Sequence, residues 1–253
     1  MDNFNHHEPN QNTMNTTREK SETNPAYAGF YKVIAPLIMC SGVGDGITTA
    51  CVMAQAATID ALRKGKTLDK PTDEMECACP VLRRMAIRAN DANWWKSNEE
   101  RTELLRPLIP LLLDSRASKE VTDKRIFFVA DKCVRDLTPM RLEFIAKHSK
   151  SEKVKAANAE GAAKLRALTP IVDRATALEA SKFCETLRAS AYADADAYAS
   201  AYADADASAY ADASASAYAS ASADASADAI KAQRVVYRTA FLKLFREVAA
   251  IKE

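Results

Sequence analysis

The chain has 253 residues, of which 48% are hydrophobic, and its formal net charge is +1. This length suits one large or two small domains, and the apolar fraction is sufficient for a hydrophobic core. Six glycines and nine prolines are few for an all-β protein, and the small net charge gives no indication of a nucleic-acid or acidic partner.

The beginning of the chain shows no targeting segment. Residues 1–25 are polar and are predicted to be a disordered tail. The first ten residues, MDNFNHHEPN, contain no basic stretch followed by an apolar one, so we predict no signal peptide. The most apolar window, 33–57, is interrupted by Pro36, Asp45 and three glycines, which excludes a transmembrane helix. We therefore expect a cytoplasmic protein without membrane contact.

The six cysteines are scattered, at positions 40, 51, 77, 79, 133 and 184. A cytosolic chain with this spacing typically keeps its cysteines reduced and buried. A structural zinc site usually needs two paired ligand sets, and one Cys-x-Cys with three histidines elsewhere in the chain does not supply them. We predict no metal and no cofactor.

The first ordered helix is predicted over residues 46–64. Asp45 precedes it as a candidate N-cap, and Gly65 follows it as a residue able to adopt the left-handed conformation. A second helix, in CPVLRRMAIRAND, is predicted with Pro80 in its first turn.

Further helices follow along the chain. Ser97 and Glu100 form a capping-box pattern, and Pro107 and Pro110 divide the following apolar stretch into two short helices or kink one. The clearest helical periodicity combines six residues, Ile126, Val129, Ala130, Cys133, Val134 and Leu137. Thr138-Pro139 and Thr169-Pro170 are each predicted to start a new helix.

The most unusual segment is a low-complexity tract in which alanine occupies every odd position from 189 to 229. Ser, Tyr or Asp occupies the positions between them. A period of two matches a strand, but a strand of forty residues is far longer than usual, and alanine favours helix. We predict a helical tract. It carries seven Asp and no Lys or Arg between 190 and 229, so the remainder of the chain carries +8.

Two groups of residues are candidates for ligand binding. Gly42 and Gly44 precede the first predicted helix, whose amides would suit an anion, although the spacing does not match a dinucleotide fingerprint. Asn90, Asp91, Asp131 and Arg135 form the second candidate group, as either a structural network or the floor of a site. His148 is interpreted as a solvated residue at a helix end, and no catalytic residue is assigned.

Three motifs precede the alanine-rich tract: CPVLRRMAIRAND, LLRPLIPLLLDSR and ADKCVRDLTP. In this order they resemble the pattern of a loose group of uncharacterised all-α proteins from bacteria and phages. The matching positions are Cys79, Pro80, Asn90, Asp91, Pro107, Arg116, Asp131, Arg135 and Pro139. The strict alternation of the tract and Lys132, where the group has Trp, are departures. Some relatives are called immunity proteins, but the resemblance implies no activity.

The sequence thus predicts an all-α irregular helical bundle with a long alanine-rich helical extension and a C-terminal amphipathic helix. The predicted boundaries are a tail at 1–25, a globular body at 26–188, the tract at 189–230 and a terminal helix at 231–253, which packs on the body or on a partner. The predicted function is a non-catalytic interaction protein, such as an accessory or immunity-type factor that binds a protein partner. The alternatives are a small-ligand-binding protein or enzyme using the Gly42–Gly46 loop and the polar cluster, and, less favoured, a nucleic-acid role for the basic body.

Overall fold

A computed structural model describes residues 28–191 and 227–252, and within these ranges the chain is helical apart from its connections. The helices are α1 (Ala28–Ile34), α2 (Val52–Arg63), α3 (Pro80–Asp91), α4 (Asn98–Leu105), α5 (Ile109–Leu112), α6 (Lys119–Lys132), α7 (Thr138–His148), α8 (Glu152–Arg166), α9 (Arg174–Ala191) and α10 (Ala227–Ala250). The described residues form no strand, and their only β-type pairing is two isolated bridges. The predicted all-α class is confirmed.

The main core lies between α1–α6 and α10. The C-terminal helix supplies the largest fully buried side chain, Phe245, together with buried Leu244 and Val248. Tyr237 and Phe241 continue this stripe and pack around Trp94, with ring centroids 5.9 and 5.5 Å away. The apolar stripe predicted for the terminal helix therefore faces the body of the same chain.

A smaller core lies at the other side of α6. Helices α7 and α8 pack together, and a Cβ at Gly161 would lie 3.4 Å from Leu142 Cδ1, at the edge of ordinary van der Waals contact. Val134, Leu165 and Ile171 form the buried centre of this cluster beneath α9. Gly161 therefore lies at the contact between the two helices, where a methyl group would just fit.

Helix α2 starts later than the sequence predicts. Its first residue is Val52, and its N-cap is Cys51, whose Sγ accepts from the Ala54 amide at 3.3 Å. Asp45 instead closes a turn within the preceding loop, where bridges to Ile38 and Gly44 hold the backbone outside the helix. The predicted start at residue 46 is therefore wrong, whereas Gly65 follows the helix with φ +69°, as predicted.

The chain does not break at Thr138-Pro139. A π-helical turn, Cys133–Leu137, joins α6 directly to α7. The Thr138 amide donates to the Cys133 carbonyl five residues earlier. Pro139 has no amide hydrogen, and its ring would clash with a carbonyl in a regular α-helix, so the wider turn accommodates it. The predicted start of an α-helix at Thr138-Pro139 is therefore confirmed, but the helix continues from α6 through the π-helical turn without a break.

Of the other predicted helix boundaries, those at Pro80 and at Pro107 and Pro110 agree with the structure, and the one at Pro170 does not. Pro80 is the first residue of α3, and a 3-10 turn at Arg106–Leu108 separates α4 from α5 near the two predicted prolines. Helix α9 does not restart at Pro170, however. It begins at Arg174. The preceding residue, Asp173, caps this start, because its Oδ1 accepts from the Thr176 amide at 2.8 Å.

The polar tail at 1–25 and most of the alanine tract lie outside the described residues. The tract's first residues belong to the end of α9, and its last ones to the start of α10. Within the described ranges, no helix combines the length and apolar character needed to cross a membrane.

Candidate functional site

The loop that connects α1 to α2 is fixed by backbone pairing. Ile38 forms a parallel bridge with Thr49, and Gly44 forms an antiparallel bridge with Ala50. Gly44 has φ +87°, and a Cβ there would lie 2.5 Å from the Thr49 carbonyl oxygen. Only glycine fits this position, because both the left-handed conformation and the close approach exclude a side chain.

Asp45 closes the tip of this loop. Its Oδ1 accepts from the amides of Ile47, Thr48 and Thr49 at 2.8–2.9 Å, and its Oδ2 accepts from Thr48 Oγ1 at 2.7 Å. These hydrogen bonds, led by that from the Thr48 hydroxyl, hold the pKa of Asp45 well below its ordinary value. The loop therefore carries its own anion at its tip.

Asn90 and Asp91, at the end of α3, hold the base of the same loop. Asp91 Oδ1 accepts from the Gly42 amide at 2.9 Å and from Ser41 Oγ at 3.3 Å. Asn90 Nδ2 donates to the Cys40 carbonyl at 2.7 Å, and its Oδ1 accepts from the Val52 amide at 3.3 Å. The structure thus brings Gly42, Asn90 and Asp91 together, as parts of one bracing network.

This network already fills the positions that an external anion would use. The loop amides donate to Asp45 and Asp91, and the first turn of α2 donates to Asn90 and Cys51. Two carboxylates next to these amides also repel a second anion. The contacts of Gly42, Gly44, Asn90 and Asp91 therefore favour a role in shaping the loop, and ligand binding by these residues stays a prediction.

Asp131 and Arg135 contact each other on another part of the molecule. Arg135 Nη1 donates to Asp131 Oδ1 at 3.1 Å, and the same oxygen accepts from the Ile171 amide at 2.9 Å. The pair connects α6 to the segment that precedes α9, above the smaller core. None of its hydrogen bonds within the described ranges reaches Asn90 or Asp91, so the four-residue candidate set divides into two networks.

The braced loop presents one apolar side chain that the sequence analysis did not single out. Ile47 is 80% exposed, the highest value among the large hydrophobic residues of the described ranges. Its position is fixed, because its own amide and the next two donate to Asp45. The sequence predicted Ile47 in the first turn of a helix over residues 46–64. Because α2 starts at Val52, Ile47 lies at the tip of the preceding loop.

A charged cluster joins α2 to the segments around α3 and α5. Ligand atoms of Asp60, Cys77 and Asp114 lie within 4.8 Å of one another, a spacing suited to a metal ion. Arg63, however, pairs with both carboxylates, and Lys64 Nζ lies 2.7 Å from Asp60 Oδ2. Burial raises the pKa of the Cys77 thiol. The cluster is therefore compensated by two cations of the chain itself.

His148 and Cys133 carry side chains of the kinds that act as bases or nucleophiles, and both lie in the packing of the helices. His148 packs against Phe144, with ring centroids 4.5 Å apart, at the end of α7. Burial raises the pKa of Cys133 to about 12, which keeps it a thiol at neutral pH. No disulfide joins any of the six cysteines, all of which lie in the described ranges.

Comparisons with known proteins add no relative. No protein-family model, curated protein or solved structure matches this chain. The conclusions about function therefore depend on the residues and contacts described above.

Proposed function

We propose that the protein is a non-catalytic interaction protein that binds a protein partner through the braced loop between α1 and α2. The residues that would contact the partner lie at the loop tip, around Ile47. This proposal keeps the function class predicted from the sequence, an accessory or immunity-type binding protein, and assigns it a specific surface.

The observation that supports the proposal is the exposed isoleucine on a preformed loop. An exposed apolar side chain gains free energy when a partner covers it. The loop is already ordered by Asp45, Asp91 and the two bridges, so binding loses little conformational entropy. A partner that covers Ile47 would therefore gain the burial of this side chain with little ordering of the loop.

One sequence-based alternative fits the contacts of the loop less well, and another concerns residues outside the described ranges. A phosphate-binding role for the loop would need amides that now donate to Asp45 and Asp91. A role for the alanine tract as the binding surface falls outside the described residues. It differs experimentally from the loop proposal, because deletion of the tract would leave Ile47 unchanged.

Site-specific photo-crosslinking tests the proposal. A photoreactive phenylalanine analogue is placed at Ile47, and at Val236 as a control, because Val236 is 50% exposed on α10. Both proteins are irradiated in a lysate of the encoding organism. We expect one prominent crosslinked protein from position 47 and none of the same mass from position 236.

Substitution and deletion separate the alternatives. Ile47→Ser should abolish capture of the crosslinked protein in a pull-down, while Val236→Ser should retain it. Capture that survives Ile47→Ser but is lost when residues 190–229 are deleted would contradict the loop proposal and favour the tract. The melting temperature of each variant shows whether folding is retained.

A further inference from the structure

Helix α10 lies on a face that is built by distant parts of the chain. It packs against α3, α5 and α6, where Leu244, Phe245 and Val248 are buried. Between Ala191, the last residue of α9, and Ala227, the first residue of α10, the chain is longer than thirty residues. Contacts with residues remote in sequence therefore hold the helix in place.

Polar contacts fix how α10 lies along this face. Arg238 Nη1 lies 2.8 Å from Glu100 Oε2, and the Arg238 side chain is only 8% exposed. Just beyond the helix, the Ile251 carbonyl accepts from Arg125 Nη2 at 2.8 Å. Separating a buried ion pair leaves a charge uncompensated, so the face favours a helix that carries both this arginine and the apolar residues that follow it.

A second copy of the chain offers the same helix. Every contact that holds α10 on its own body can form equally well with the body of another copy, because the two sequences are identical. A helix on the same chain competes only through its effective concentration. This concentration is about millimolar for a short linker and falls as the linker becomes longer than the span it bridges. Exchange of a terminal element between identical chains is thus a low-cost route to a dimer.

We propose that α10 exchanges between copies of the protein, giving a dimer in which the α10 of each chain completes the body of the other. Both bodies keep the core position of Phe245 and the contact between Arg238 and Glu100. The dimer carries two copies of the braced loop, yet the exchange uses no residue of that loop. The proposal therefore stands or falls independently of the proposed function.

Two charge-reversed variants test the exchange. Glu100→Arg and Arg238→Glu each place like charges side by side in the closed monomer, and each should lower the melting temperature. In an exchanged dimer of the two variants, one site joins the introduced arginine to the introduced glutamate, and the other site restores the original pair. After joint unfolding in urea and refolding, the mixture should contain a particle with twice the mass of one chain. Its melting temperature should lie several degrees above that of either variant alone.

A second pair of variants is the matched control. Glu143 and Arg166 also lie 2.8 Å apart, but both precede α10 and stay within one body when α10 exchanges. A mixture of Glu143→Arg and Arg166→Glu should therefore melt no higher than the separate variants. A gain in this mixture would show that mixing acts through something other than exchange of α10, and would overturn the proposal.

The unaltered chain gives a measurement that does not depend on folded variants. It is unfolded in urea and refolded at about 1 μM and at about 0.5 mM, the latter being close to the effective concentration of a tethered helix. Size-exclusion chromatography with light scattering should show monomer in the dilute sample and a substantial dimer fraction in the concentrated one.

Three results would overturn the proposal: monomer in both refolded samples, folded variants whose mixture regains no stability, or a mixed dimer without that gain. If neither charge-reversed variant folds, alone or mixed, the refolding of the unaltered chain decides.

Discussion

Asp45 shows how one side chain can change the interpretation of a whole segment. The sequence pattern offered it as the N-cap of a helix, and it does accept from the amides that follow it. The result is a closed turn, because the next residues pair with Ile38 and Gly44 and cannot continue into helical geometry. The local hydrogen-bonding preference of Asp was predicted correctly, and the element it starts was not.

The same residue gives a pH prediction. The pKa of Asp45 is lowered by folding, so its stabilising effect is complete above the unfolded value of about 3.9 and is lost as the pH falls toward the folded value. We expect the amides of Ile47, Thr48 and Thr49 to keep slow hydrogen exchange from neutral pH down to the unfolded pKa. Protection should fade only under more acidic conditions. NMR-detected exchange measures this directly.

Substitution provides the matched comparison. Asp45→Ala should remove the protection of these three amides at every pH, whereas Asp69→Ala, at another exposed aspartate, should not affect it. Loop amides that exchange equally in both variants would show that the bridges alone hold the loop. The assigned role of Asp45 in presenting Ile47 would then be wrong.

At the scale of helices, the ends set by local residues could be predicted, and those set by distant contacts could not. Pro80 and Gly65 mark their helix ends through backbone restrictions that depend on no other segment. The start of α2, in contrast, depends on Asn90, which is 38 residues away and accepts from the Val52 amide.

The contact between α10 and the α3–α4 connection supports a prediction at this scale. Arg238 Nη1 lies 2.8 Å from Glu100 Oε2, and its side chain is 8% exposed. Its guanidinium also lies 5.3 Å from the centre of the Trp95 ring. Glu100→Ala would leave this cation buried without its carboxylate. We expect a loss of about 2–3 kcal/mol, below the range for fully buried pairs because Glu100 is 20% exposed.

An exposed ion pair serves as the control. Arg166 and Glu143 also lie 2.8 Å apart, but both side chains are about half exposed. Glu143→Ala should therefore change the free energy of unfolding by no more than about 1 kcal/mol. Urea unfolding followed by circular dichroism measures both variants. Equal losses would mean that the buried pair does not specifically secure α10.

For the whole molecule, the sequence predicted the helical class and the apolar face of the last helix, but left open whether that face meets the body or a partner. Periodicity defines a stripe and cannot identify what covers it. The structure places Phe245 and Val248 in the same core as α2 and α3, across a stretch of chain longer than thirty residues. The body at 26–188 is therefore incomplete without α10.

This dependence leads to the prediction with the largest expected effect. Helix α10 buries Leu242, Leu244, Phe245 and Val248, and each contributes about 1.5–3 kcal/mol. Their sum is comparable to the total stability of an ordinary domain, about 5–15 kcal/mol. A chain that ends at residue 226 should therefore lack a cooperative thermal transition, and an added peptide of residues 227–253 should restore it. Phe245→Ala alone should destabilise by about 3–5 kcal/mol, and Val236→Ala by less than about 0.5 kcal/mol. A truncated chain that melts like the intact one would show that α10 is an accessory to the body and not part of its core.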